Sequence, residues 1–179
     1  MHESLVKWLN TFELSAPVAS LADLCDGLTL HEILRGIAPE SFEEGSLKEG
    51  VSANAILKTN NIKKLLRELS DYYSSVLLQD YDTDLIDPSA VASADPDETA
   101  KLVEGVLGCA VQCDSKAKYI QTLMTLDTAS QKDMMVLTQR LLQLGEENAI
   151  DRDSSWAGDQ THDESFSGND SALLDSQAL

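Results

Sequence analysis

Apolar residues recur every three or four positions along most of this chain and nowhere alternate with polar ones over a strand's length. The pattern predicts helices and no sheet. Leu5, Trp8, Leu9 and Phe12 form the first stripe, which ends near Ser15-Ala16-Pro17. Ser20 is placed to cap a short helix burying Leu21 and Leu24. Asp26-Gly27 breaks the period; Leu28, Leu30, Ile33, Leu34 and Ile37 follow, closed by Pro39. Ser52 is expected to cap the longest helix, roughly 53–78, with Leu57, Ile62, Leu65, Leu66, Leu69, Tyr72, Tyr73 and Val76 on its apolar side. An acidic, polar stretch covers 79–95, and Asp87-Pro88 within it can start a short helix. Asp95-Pro96-Asp97-Glu98 reads as a strong helix start, with Asp95 as cap, Pro96 in the first turn and Glu98 closing a capping box. Leu102, Val103, Val106, Leu107, Ala110 and Val111 make its buried face. Asp114 is expected to cap the next helix, with Tyr119, Ile120, Leu123, Met124 and Leu126, and Asp127 or Thr128 to open the last, roughly 128–144. The expectation is an all-α bundle of about seven to eight helices.

The last helix carries two adjacent stripes. Met134, Leu137, Leu141 and Leu144 form one; Gln131, Met135, Thr138 and Leu142 form the other. Together they span about half the circumference, more than the ~100° that one packed face needs. Flexible thioethers beside a hydrogen-bonding amide suit a groove for a partner helix. The same face could instead pack on the long helix or on a second copy of the chain, giving a homodimer.

Composition changes the picture mainly through charge. With 179 residues the chain is long enough for one domain over 1–147 and a tail over 148–179. Residues 151–179 hold one base and seven acids with no apolar period, which reads as disordered, although SALLDSQAL at its end can form a transient helix. The net charge is -18. That argues against nucleic acid as a partner, because phosphate neutralisation needs a Lys/Arg footprint. It also disfavours acidic surfaces such as membranes or tubulin. Membrane insertion is not expected, since no run approaches eighteen apolar residues. Three cysteines, an odd count, fit a reducing compartment better than a secreted scaffold.

Candidate chemistry is sparse. No nucleophile elbow, phosphate loop, dinucleotide fingerprint or zinc-protease motif is present, so no cofactor is expected and an enzyme is disfavoured. Asp80, Asp82, Asp84 and Asp87 lack the glycine and terminal glutamate of a Ca²⁺ loop. Cys109 and Cys113 share a helix face and could hold soft metal with Cys25 or His31, but their apolar surroundings favour the core. His31 stands beside Glu32 with no recognisable relay partner. Lys63, Lys64 and Arg67 form the basic cluster, partly offset by Glu68 and Asp71; it is either a solvated face or a small docking patch for an acidic partner.

Two stretches carry a resemblance. LVKWLNTFELSAP (5–17) leading to LADLCDGLTLHEILRGIAPESF (21–42) resembles the opening of a calponin-homology fold. VLGCAVQCDSKAKYIQTLM (106–124) resembles the Hook family of cargo adaptors, as do Asn54, Leu57, Lys58, Asn61, Lys63 and Lys64; Ala55 stands where that family has Trp. Girdin-type proteins share the architecture. The resemblance covers roughly residues 3–147. It implies a variant calponin-homology bundle with an additional C-terminal helix, and a cytoplasmic, cytoskeleton-associated role in microtubule-based transport of cargo such as endosomes. It further implies that the last helix and its predecessor form a groove for a helix of the dynein light intermediate chain, with dynein and dynactin contacts on a coiled coil outside this chain. The family's groove Gln aligns with Gln131 and its groove Ile falls at Thr138, a smaller and polar residue. The resemblance leaves an alternative of another class, a module binding microtubules or actin directly. The residues expected to meet a partner helix are Gln131, Met134, Met135, Thr138 and Leu142.

Overall fold

The structure is a computed structural model that describes residues 1–156. Seven α-helices are present among the described residues: α1 (His2–Leu9), α2 (Leu28–Ile37), α3 (Ala55–Tyr72), α4 (Pro88–Ala92), α5 (Pro96–Gln112), α6 (Lys116–Leu123) and α7 (Thr128–Trp156). Two 3-10 turns, Leu21–Leu24 and Thr83–Leu85, and a π-turn, Tyr73–Leu77, complete the order, and no strand occurs among these residues. Of the disordered tail expected from 148 onward, the first nine residues, 148–156, instead continue α7, and the rest, 157–179, lies outside the described residues.

The bundle is built around α5. From Thr99 to Val111 it is buried on nearly all sides, with Leu102, Val103, Val106, Leu107, Cys109 and Ala110 fully enclosed. A helix apolar all round must be central, and α5 touches α1, α2, α3, α4, α6 and α7. Burying each of its larger side chains contributes roughly 1.5–3 kcal/mol. Small residues allow the close approach. A Cβ on Gly105 would strike the Tyr81 hydroxyl, and one on Gly108 the Tyr73 hydroxyl. Tyr73 and Tyr81 stack with ring centroids 4.5 Å apart, and Tyr73 Oη donates to the Gly105 carbonyl at 2.9 Å. Cys109 and Cys113 are both buried in this packing, as their apolar surroundings require.

Several helix starts follow the sequence and several do not. Ser20 and Asp23 form the capping box of the first 3-10 turn, and Asp87 caps α4 by accepting from Ser89 N at 2.8 Å. Gly27, at φ 78, occupies the left-handed turn before α2 that other residues resist. The cap of α3 is Asn54, not Ser52: its Oδ1 accepts from Leu57 N at 3.0 Å. Val51 is buried and holds the preceding turn through Asn54 N. Asp95 does cap α5. Glu98 does not complete a capping box; its carboxylate accepts from Asp87 N at 2.8 Å and ties α4 to α5. Ser115, not Asp114, precedes α6. The longest helix is α7 with 29 residues, not α3. It runs past 144 because nothing stops it: Gly145 stays helical, leaving room for the Gln79 side chain against it.

Three of the α3 residues that carry the family resemblance, Lys58, Asn61 and Lys64, have a shared structural task. Asn61 is buried and makes three bonds, accepting from Lys48 N and donating to the Lys48 and Asp26 carbonyls. Lys64 donates to the Ser46 carbonyl at 2.6 Å and Lys58 lies 3.5 Å from Cys25 Sγ. With the Asn54 cap, they fasten the irregular chain before α3 onto the helix.

Candidate functional site: the face of α6 and α7

The chain enters α7 at a fixed corner. Asp127 accepts from Ser130 N at 3.1 Å and Ser130 Oγ at 2.8 Å, closing the first turn. Its carboxylate also meets Lys7 Nζ from α1 at 3.0 Å. The Ser130 hydroxyl and amide, then Lys7, hold this carboxyl far below the usual carboxylate range. One turn on, Asp133 accepts from Ser4 Oγ at 2.7 Å and is likewise held low, by Ser4 first and the chain's amino terminus second. Both acids therefore fasten α7 to α1.

This anchoring orients the two stripes of α7. Met134 and Leu137 are wholly buried against the bundle, and Leu141 packs partly against it. Met134 thus belongs to the core and not to a partner surface, a correction to the sequence expectation. Leu144, expected on the buried stripe, is largely exposed. Met135 and Leu142 face outward, 53% and 38% exposed. Thr138 is half-buried, and its Oγ1 is enclosed without a hydrogen-bond partner. The principal neighbours of α7 are α1 and α5, so the second stripe is not used to pack on α3. On α6, Ile120 and Met124, expected on the buried side with Tyr119 and Leu123, are 40% and 57% exposed instead. The helix is too short to bury a broad stripe, and Tyr119 takes the inward position, its hydroxyl on the Gly36 carbonyl at 3.2 Å. Gln131 joins the two helices at their corner: Nε2 donates to the Met124 and Leu126 carbonyls, both at 2.7 Å. The exposed apolar side chains of the two helices are therefore Ile120 and Met124 at the end of α6 and Met135, Val136, Leu142 and Leu144 on α7, with the Gln131 amide tying the two helices at their corner and the Thr138 hydroxyl left without a partner.

The other candidates separate. Lys63 and Arg67 border a shallow cleft with Asp71, Asp84 and Asp87, whereas Lys64 reaches to Ser46. The basic cluster is thus split and faces its own acids. His31 has two neighbours the sequence did not reveal, Ser46 Oγ at 3.0 Å and Glu68 Oε2 at 3.5 Å. Both lie on the same ring nitrogen, Nε2. A serine relay needs the hydroxyl on one nitrogen and the carboxylate on the other, so the cluster is a buried polar contact. Burial pushes the His31 pKa down, against the opposing pull of Glu68. A cavity of about 630 Å³ opens between 79–86, α5 and α7, floored by Tyr73, Tyr81 and Leu141. Its cations are paired within the chain, Lys101 with Glu98 and Arg140 with Glu104. Among the described residues no group of three or more His, Cys, Asp or Glu could hold a metal ion.

The HOOK domain family model matches residues 1–140, covering α1 to α6 and the first turns of α7. The chain belongs to the Hook family. Its sequence is 41% identical over 145 residues to the Protein Hook homolog of Branchiostoma floridae, covering 78% of this chain and 20% of that one. It is 41% identical over 160 residues to Protein Hook homolog 1 of Danio rerio, covering 83% and 22%. The chain thus spans about a fifth of the length of these relatives. The solution structure of the conserved domain of mouse HOOK1 protein superposes with a TM-score of 0.73 at 33% identity, over 79% of this chain and 90% of that one. The Hook domain described here is accordingly an all-α bundle. No helix among its described residues is long and apolar enough to cross a membrane.

Proposed function

We propose that this Hook domain, a calponin-homology-type bundle with α7 as its added helix, captures an amphipathic helix of the dynein light intermediate chain. It would thereby link cytoplasmic dynein to cargo in microtubule-based transport. Dynein and dynactin contacts on a coiled coil would lie in sequence outside this chain. The observation that carries the reading is the exposure of Met135 and Leu142 on α7 and of Ile120 and Met124 at the end of α6. The two unbranched thioethers among them adapt to a partner's apolar anchors at helical spacing. Direct microtubule binding has weaker support, because the basic cluster is divided and partly offset by Asp71, Asp84 and Asp87.

Binding isotherms with a fluorescent peptide of the light intermediate chain's C-terminal helix test the reading. Met135→Ala and Leu142→Ala each remove an exposed anchor, so affinity should fall about tenfold while thermal stability changes little. Met134→Ala is the control in the opposite sense: it removes a buried side chain and should cost the fold about 2–5 kcal/mol. Wild-type affinity in both Met135→Ala and Leu142→Ala would move the partner site elsewhere.

A further inference from the structure

We infer that Gln131 is a positioning residue: its carboxamide acts on a partner helix through the α6–α7 corner it closes, and not by donating to the partner. The inference rests on the helix-capture reading and gives that site its geometry.

The carboxamide has two hydrogens, and both are engaged. Nε2 donates to Met124 O, on the residue that ends α6, and to Leu126 O in the linker. Carbonyls at a helix C-terminus have no partner within their own helix, so Gln131 supplies from α7 what α6 lacks. Only Oε1 remains for an outside group, and offering either hydrogen to a partner would open the corner. The corner's own backbone bonds are three-residue turns, Met124 N to Gln121 O, Thr125 N to Thr122 O and Leu126 N to Leu123 O, the last at 3.3 Å. Such tight turns hold poorly without help. Asp127 and Lys7 fix the α7 side of the corner to α1. Gln131 fixes the α6 side.

The consequence falls on two methionines. Met124 is bonded through its carbonyl to Gln131, and Met135 stands one turn beyond Gln131 on the same helix face. Both side chains are more than half exposed. Gln131 thus supplies the side-chain link across the corner between them, and a helix with anchors at fixed spacing depends on how that corner is held.

Three substitutions of similar length separate positioning from direct contact. Gln131→Lys retains donors for the two carbonyls, favoured beside a helix C-terminus, but has no acceptor. Gln131→Glu turns a carboxylate with no hydrogen toward the same carbonyls. Gln131→Met removes polarity and keeps bulk. With the light intermediate chain helix peptide and the full 179-residue chain, Lys should bind within about threefold of wild type, and Glu and Met should lose about tenfold or more. Amide exchange at Met124, Thr125 and Leu126 should quicken in Glu and Met and stay at the wild-type rate in Lys. A Lys variant that binds as weakly as Glu, with exchange unchanged, would overturn the inference and make the Gln131 carboxamide a direct contact. If the wild-type chain does not bind the peptide, the helix-capture reading fails. Exchange then decides alone: unaltered protection at the corner in Glu and Met overturns the positioning role, and lost protection upholds it.

Discussion

Thr138 Oγ1 is enclosed and has no hydrogen-bond partner, a condition that costs about 1–3 kcal/mol for a buried polar atom. Valine has the same shape without the hydroxyl, so Thr138→Val should raise stability by about 1 kcal/mol. Denaturant unfolding measures it, and a destabilised Val variant would mean that the hydroxyl has a partner in solution. At the same position Thr138→Ile adds apolar area beside Met135 and Leu142 and should tighten partner binding. Residue-scale chemistry was only partly legible in the sequence. That Gln131 and Met135 lie on one face follows from helical spacing alone. That both hydrogens of Gln131 turn back to Met124 and Leu126 depends on the geometry of the intervening corner, which no periodicity encodes. Ser46 and Glu68 come to His31 from separate segments, so their meeting is likewise a tertiary event.

Helices were legible as elements because a 3.6-residue stripe is a strong signal, and their ends were not where two caps compete. Ser52 and Asn54 both precede α3, and burial of Val51 decides for Asn54. Glu98 has the capping-box spacing, but Asp87 N offers a partner eleven positions back. The π-turn at 73–77 was hidden because the stripe ran on through it; Val76, counted on that stripe, is 53% exposed. At this scale the most testable feature is the α1–α7 clamp. A carboxyl held below its usual value of 3.8 stabilises the fold above that pH and loses its contribution as pH falls. Asp127→Asn keeps a capping oxygen for Ser130 but loses the charge facing Lys7. The melting-temperature gap between wild type and Asp127→Asn should be open at neutral pH and narrow steadily below about pH 4. A gap that stays constant through that range would detach the ion pair from stability.

On the scale of the whole molecule, the buried face of α5 was recognisable from sequence, whereas its central place, with Gly105, Gly108 and Cys109 enclosed as well, emerged only from the packing of the other helices around it. Charge was legible. The net of -18 is not concentrated away from the basic residues: Lys7, Arg35, Lys101 and Arg140 each face a carboxylate of this chain. The remaining bases are outnumbered by the acids of a chain with 31 Asp and Glu against 13 Lys and Arg, so the net field opposes an acidic filament. Co-sedimentation with microtubules should therefore be weak at low salt and show no steep loss as salt rises. Tight, salt-sensitive pelleting that Lys63→Glu abolishes would reinstate the filament-binding alternative.

The clamp between α1 and α7 also has a consequence for synthesis. Ser4 and Asp133 are 129 residues apart in the chain. At roughly 5–20 residues per second, a ribosome needs about 6–26 s to travel from one to the other. For much of that interval Leu5, Trp8 and Leu9 emerge with neither α5 nor α7 available to cover them. The first helix made is thus among the last to dock. The pace of translation across the stretch that encodes α5 to α7, as much as the sequence of α1, sets how long its apolar face stays open to chaperones or to a wrong partner.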